Sequence, residues 1–369
     1  MLRQSFKVVE ANVLFLLAAI LFITLGASAQ SWDVHKGLLI TEYGVILTPV
    51  IIAGFVLKID MKKALKLNKI KLRTIIRLMA VSFLIIPTVA LVNLIPITIL
   101  SHFNKVIIPE IPSPTSPMEL LTSLFIIAVS AGICEEVFFR GLILNAYETA
   151  YNKKTGAIMA AILFGVFHFN IQNLFGPIVI GLVAAYVMQI TNSIYSAIVL
   201  HMTNNGIAVL SDYLLRAMSP EMIETSADAA SINGNTTELL TSITMLFIIA
   251  SIGVFIVKVL INGLKRDTFY YALGEPFTMG NQAYYLVDKT PVNGRIISKK
   301  SAFESGTYNL SAEKNVAWSS LNAGYPKRVH EIWEEKDYSE QVDLKVFAPV
   351  AGVFTLYVYL LYQFLTYVG

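Results

Sequence analysis

The stretch AGICEEVFFRGLIL, Ala131–Leu144, places two carboxylates and a guanidinium inside a run that would otherwise suit a membrane helix: LLTSLFIIAVS leads into it and GLILNAY closes it. A charge at the centre of a membrane helix costs about 2.5 to 3.5 kcal/mol on insertion scales. Glu135, Glu136 and Arg140 therefore need a reason to be there. Helix geometry supplies part of one. Glu136 and Arg140 are four apart, on one face, and can neutralise each other. Glu135 lies about 100° around the helix, and the residue four positions on is Phe139, which cannot pair with it. One carboxylate is paired and one is free. The bland alternative is a structural ion pair plus a Glu135 that snorkels to the headgroups.

The surrounding composition is that of a membrane protein. Of 369 residues, 55% are hydrophobic and 14% charged, against about 45–50% apolar in soluble domains. The net charge of +3 comes with no clustered basic patch or groove-reading motif, so nucleic-acid binding is not expected. Cys134 is the only cysteine, which excludes an intrachain disulfide and Cys-rich metal motifs. Asn235 and Asn309 open glycosylation sequons, which matter only in a glycosylating lumen.

Runs long enough to span a membrane fall at about 11–29, 37–57, 75–100, 119–144, 156–170, 174–192, 195–214, 239–261 and 346–367. The predicted fold is an all-α polytopic membrane protein of about eight or nine transmembrane helices. A membrane domain over 1–262 has its core at 120–214, a small mixed insertion occupies 263–345, and a last helix covers 346–369. The first run has a signal-peptide rival, because Arg3 and Lys7 precede an apolar core ending in Ala27-Ser28-Ala29. Lys58, Lys62, Lys63, Lys66, Lys69, Lys71 and Arg73 mark the second connection as cytoplasmic, with Lys153 and Lys154 on the same side. Glu221, Glu224 and Asp228 read as outside, and inside/outside counting puts the insertion in the cytoplasm. Within it, Gln282 to Asp288 and Arg295 to Lys300 flank Asn293-Gly294 as a hairpin, and KRVHEIWEEKDY after Pro326 suits an amphipathic helix.

Of five histidines, His35, His102 and His330 sit in polar segments, whereas His168 and His201 lie inside AAILFGVFHF and YSAIVLHMTNN. A lone buried histidine is more often a satisfied core residue than a catalyst. Two of them, on helices that follow an unpaired glutamate, carry more weight. Asn205 is four residues after His201, on its face, so imidazole and carboxamide can address one atom. Glu135, His168 and His201 sit roughly 9 to 20 Å from the cytoplasmic ends of their helices and could share a chamber opening inward.

In that order, Glu135-Glu136-x-x-x-Arg140, Phe164-x-x-x-His168 and His201-x-x-x-Asn205 resemble the three motifs of the CPBP membrane proteins. These are the type II CAAX prenyl endopeptidases and their bacteriocin-processing and immunity relatives. The resemblance covers about Leu120 to Leu214 and implies an intramembrane endopeptidase in a bacterial cell membrane, acting near the cytoplasmic leaflet on a peptide or protein substrate, lipidated or not. Glu135 would be the general base toward water, His168 would hold that water, and His201 with Asn205 would stabilise the oxyanion. Glu136 and Arg140 would fix the helix or orient a peptide carboxylate. A metal is an open question. Glu135, His168 and His201 are a set that catalytic zinc uses, but there is no H-E-x-x-H, and a metal-free glutamate mechanism is preferred. A thiol mechanism through Cys134 ranks low, since nothing basic neighbours it in sequence. Rival functions are a non-catalytic scaffold or immunity protein that binds in the same chamber, and a proton-linked transporter, against which stands the lack of a visible inverted repeat.

Overall fold

The computed structural model describes residues 2–103, 113–218, 236–269, 277–279, 282–289, 293–298, 314–317 and 344–367. The expected amphipathic helix after Pro326, the acidic residues Glu221, Glu224 and Asp228, the two sequon asparagines and His330 lie outside the described residues. Two compact units are present, one of Met1–Lys258 with Glu335–Gly369, the other of Val259–Glu334.

All nine apolar runs fall on helices, here labelled α1 (Val8–Trp32), α2 (Val34–Val56), α3 (Leu72–His102), α4 (Pro117–Ala150), α5 (Lys153–Phe167), α6 (Phe175–Thr191), α7 (Ile194–Met218), α8 (Thr236–Phe269) and α9 (Ala348–Tyr367). Among the described residues seven helices are long and apolar enough to cross a membrane, and the chain is a polytopic all-α membrane protein. The two that fall short are α5 and α7. At 15 residues α5 rises only about 22 Å, less than a hydrocarbon core of about 30 Å. The other, α7, carries His201, Thr203, Asn204 and Asn205 in its middle and Asp212 and Arg216 beyond them.

Local chemistry sets the helix ends. Ser116 caps α4 by accepting from the Glu119 N–H, with Pro117 at the first helical position. Asn152 caps α5 by accepting from the Thr155 N–H at 2.8 Å. At its far end α6 stops on Asn192, left-handed at φ 48°, a conformation that Asn tolerates better than most residues. Wider π turns interrupt α1, α2 and α4 at Phe22–Gly26, Ile40–Leu47, Leu124–Ser130 and Val137–Leu144. Such turns rotate the side chains beyond them and recur at functional sites.

The core sits where α1, α4, α5, α6 and α7 meet. Phe15 of α1 packs edge-on against Phe139 of α4, and Phe138, Phe139 and Phe167 form an aromatic cluster beside it. Asn12, fully buried on α1, accepts from the Tyr147 hydroxyl and donates to the Val346 carbonyl, tying α1, α4 and the entry to α9 together. Two glycines allow close approach. A Cβ on Gly132 of α4 would stand 2.5 Å from Met202 Cγ and 3.3 Å from the Met202 nitrogen of α7, and one on Gly181 of α6 would meet Ala161 Cα of α5 at 3.1 Å.

The second unit contains a four-stranded antiparallel meander, β1 (Phe277–Met279), β2 (Gln282–Lys289), β3 (Asn293–Ser298) and β4 (Lys314–Ala317), in the order β1-β2-β3-β4. Asn293 and Gly294 open β3, with Gly294 paired to Lys289, instead of forming the turn expected of them.

Because α4 and α7 touch at Gly132, Gly132→Val should force them apart. The expected cost is about 1–3 kcal/mol, seen as a lower thermal unfolding midpoint in detergent, with Gly132→Ala intermediate.

Candidate active site

The buried half of the site is an ion and hydrogen-bond cluster. Arg140 and Glu136 are fully buried, and His201 is 4% exposed. Arg140 Nη1 stands 3.0 Å from Glu136 Oε1, so the pair inferred from the i,i+4 spacing is present. The same guanidinium donates from Nη2 to the Gly181 carbonyl at 3.1 Å and lies over the Phe164 ring at 4.7 Å. From α7, His201 Nδ1 reaches Glu136 Oε1 at 2.8 Å. An ionised carboxylate only accepts, so Nδ1 carries the proton and Nε2 is turned toward Glu135, 3.8 Å from its Oε2. That separation exceeds a hydrogen bond, yet one oxygen can sit about 2.8 Å from both atoms.

The other half is more open. Glu135, His168 and Asn205 are each half-buried. His168 is not inside α5 but caps its C-terminus. Its Nδ1 donates to the Phe164 carbonyl at 2.8 Å, because a carbonyl only accepts, and Nε2 keeps its lone pair. The chain then turns sharply through Phe169 at φ 47°, a conformation rare for a bulky residue and typical of places where a site imposes it. Phe169 is held there by ring contacts with Phe22 and Tyr357. Phe164 links the halves, meeting His168 at 4.9 Å and His201 at 5.6 Å between ring centroids.

Two sequence expectations change in detail. Asn205 does not hold its carboxamide free beside His201. Its Nδ2 donates to the Ile127 carbonyl at 2.9 Å and its Oδ1 accepts from Asn204, which leaves one Nδ2 hydrogen. The substrate-orienting option for Arg140 has no surface to work from, since the guanidinium is fully buried against Glu136, Gly181 and Phe164.

Glu42 was missed by sequence reasoning. It lies in the π turn of α2 and is 6% exposed, and its neighbour Tyr43 reaches Ser130 Oγ of α4 at 3.2 Å. The signal was available: its i−4 and i+4 neighbours are Leu38 and Ile46, so it lacks a local cation just as Glu135 does.

Among the described residues no three His, Cys, Asp or Glu side chains converge to hold a metal ion. One nitrogen of each imidazole is bonded, to Phe164 and to Glu136, which leaves each Nε2 free, as in histidines that ligate a metal.

Fold and geometry together define a polytopic membrane protein with a carboxylate–imidazole cluster set among its helices. Residues 117–207, from the start of α4 to just past Asn205, match the type II CAAX prenyl endopeptidase Rce1-like family. The resemblance to the CPBP proteins drawn from the three motifs is borne out over that segment. Comparisons with curated proteins and with solved structures give no match.

Arg140→Ala should destabilise the protein by about 3–5 kcal/mol, because it leaves Glu136 buried without its cation. Adding Glu136→Gln should recover part of that loss. Both effects are readable as unfolding midpoints of the purified protein in detergent.

Proposed function

We propose that the protein is an intramembrane endopeptidase in which Glu135 activates water for attack on a peptide carbonyl. The observation that carries this reading is the division of the cluster. Glu136, Arg140 and His201 are buried and mutually bonded, while Glu135 and His168 are half-open, and Glu135 Oε2 and His201 Nε2 stand 3.8 Å apart. The family match supports CAAX-type protease activity.

In the proposed reaction His168 Nε2 accepts one hydrogen of the water and Glu135 takes the other as the oxygen bonds to the carbonyl carbon. His201, as imidazolium held by Glu136, donates from Nε2 to the oxyanion, joined by the remaining Nδ2 hydrogen of Asn205. Glu135 then returns its proton to the leaving nitrogen as the C–N bond breaks, giving an amine and a carboxylic acid, whose proton passes to His168 Nε2 to leave a carboxylate. Arg140 holds Glu136 in place. No metal is assigned a step. The substrate proposed is a peptide or protein tail, lipidated or not, presented at the cytoplasmic leaflet of a bacterial cell membrane. The lysine-rich connection after α2 supports that side as the inner one. One observation favours the non-catalytic binding reading: Asn205 already spends a hydrogen on Ile127.

The test uses an internally quenched peptide ending in farnesylated Cys, two aliphatic residues and a variable residue, in detergent without any ion gradient. Cleavage by the wild type is expected. Glu135→Gln, His168→Ala and His201→Ala should each lower kcat/KM by about 10²- to 10⁴-fold in folded protein, with double variants no worse than singles. Extensive chelation should leave the rate intact. Full activity of Glu135→Gln sinks the assignment, and stoichiometric zinc whose removal abolishes the rate replaces it with a metal mechanism.

A further inference from the structure

A cavity of about 280 Å³ lies between α9 and the connection from α5 to α6. Phe169, Tyr357 and Phe364 line it with rings, Leu361 adds an aliphatic wall, and Asn170 and Gln172 bring carboxamides. Phe169 is the residue after His168, and its ring meets that of Tyr357 with centroids 6.0 Å apart. The cavity therefore begins one residue from the candidate active site.

Helix α5 starts at Lys153 and is too short to span, so the connection after it lies inside the hydrocarbon layer. Non-helical backbone at that depth persists only where protein encloses it or where it lines a cavity. Tyr357 is 8% exposed, and its hydroxyl is buried with no hydrogen-bond partner among the described residues. A buried tyrosine hydroxyl ordinarily has one, and an occupant of the cavity that carries a carbonyl satisfies it.

Size and lining select the occupant. A cavity of about 150 Å³ lined by Leu, Ile and Phe takes a benzene ring, so this one takes an aromatic side chain with its peptide group. Rings meet rings in offset or edge-on contacts worth more than burial alone. A hydrocarbon chain fills the same space but leaves the tyrosine hydroxyl without an acceptor, whereas a peptide brings a carbonyl. Tyr357 and Phe364 also lie outside the segment that matches the family, so recognition here belongs to this chain's last helix.

We propose that the cavity is a substrate subsite that takes one aromatic side chain of the peptide, while the Tyr357 hydroxyl donates to a carbonyl of the same peptide. An extended chain advances about 3.3–3.6 Å per residue, so a residue roughly one to three positions from the scissile bond reaches it. That the peptide is a substrate rests on the endopeptidase reading, whereas the seating of its ring in the cavity does not.

Two measurements separate these. The first uses the farnesylated quenched peptide with Phe, Leu or Ser placed in turn at each of the three residues after Cys. At one position Phe should lower KM about fivefold against Leu and Ser. Leu361→Trp, which fills the cavity, should remove that preference at unchanged kcat, and Tyr357→Phe should raise KM about two- to tenfold with thermal stability kept. The second needs no cleavage. In Glu135→Gln protein, a peptide carrying a diazirine-bearing phenylalanine at each of those positions in turn should label α9 from one of them, as mapped by mass spectrometry. An unlabelled Phe peptide should compete for that label and farnesyl-cysteine should not. Competition by farnesyl-cysteine alone makes the cavity a prenyl site and overturns the proposal. Wild-type cleavage with no Phe preference and no label on α9 overturns it too, and leaves the endopeptidase reading standing. If Glu135→Gln cuts normally, the endopeptidase reading falls and the label alone decides what the cavity holds.

Discussion

The arrangement depends on a guanidinium with no exposure. Arg140 is fully buried in the centre of the helix bundle, and an uncompensated charge there would cost several kcal/mol. Its compensation comes from several helices at once: Glu136 on its own helix, the Gly181 carbonyl of α6 and the Phe164 ring of α5. The partner carboxylate is shared with His201 of α7. Four helices are thus committed to one side chain. The Gly181 carbonyl can accept because α6 lies close on α5 where Gly181 has no Cβ to collide with Ala161. Glu136 does two things at one oxygen, neutralising Arg140 and fixing which nitrogen of His201 faces Glu135. Orientation of a histidine through its second nitrogen is a general device for setting what the first can do.

Much of this was legible in the chain because helix geometry converts spacing into proximity. The spacing of four from Glu136 to Arg140 sufficed to predict their pairing, and His168 and His201 stood out as polar residues in apolar runs. The inter-helix bonds were not legible, because no spacing within one helix reports which residue of the next helix faces it. The Glu136–His201 hydrogen bond and the Asn205–Ile127 bond are both of this kind. Glu42 could still have been flagged by the rule that flagged Glu135, a carboxylate in an apolar run with no cation one turn away. The π turns were invisible for another reason: they follow from packing, and Ile40–Leu47 and Val137–Leu144 carry no residue that imposes them.

The two helices that carry the histidines are also the two least able to stand alone in lipid. The first, α5, is too short to span, and α7 pays for its polar middle in insertion energy. They must be held by protein instead of bilayer. The Ser82 hydroxyl of α3 donates to the Leu200 carbonyl of α7, one residue before His201, and Gln189 of α6 donates to the Lys153 carbonyl at the start of α5. Gly132 admits Met202 from the other side. A span that lipid would stabilise can carry its polar residues only at its ends, whereas one enclosed by protein can carry them at mid-depth. The shortness of α5 and the polarity of α7 are then conditions for the site: His168 falls at a helix end with its Nε2 uncommitted, and His201 is surrounded by groups that satisfy it.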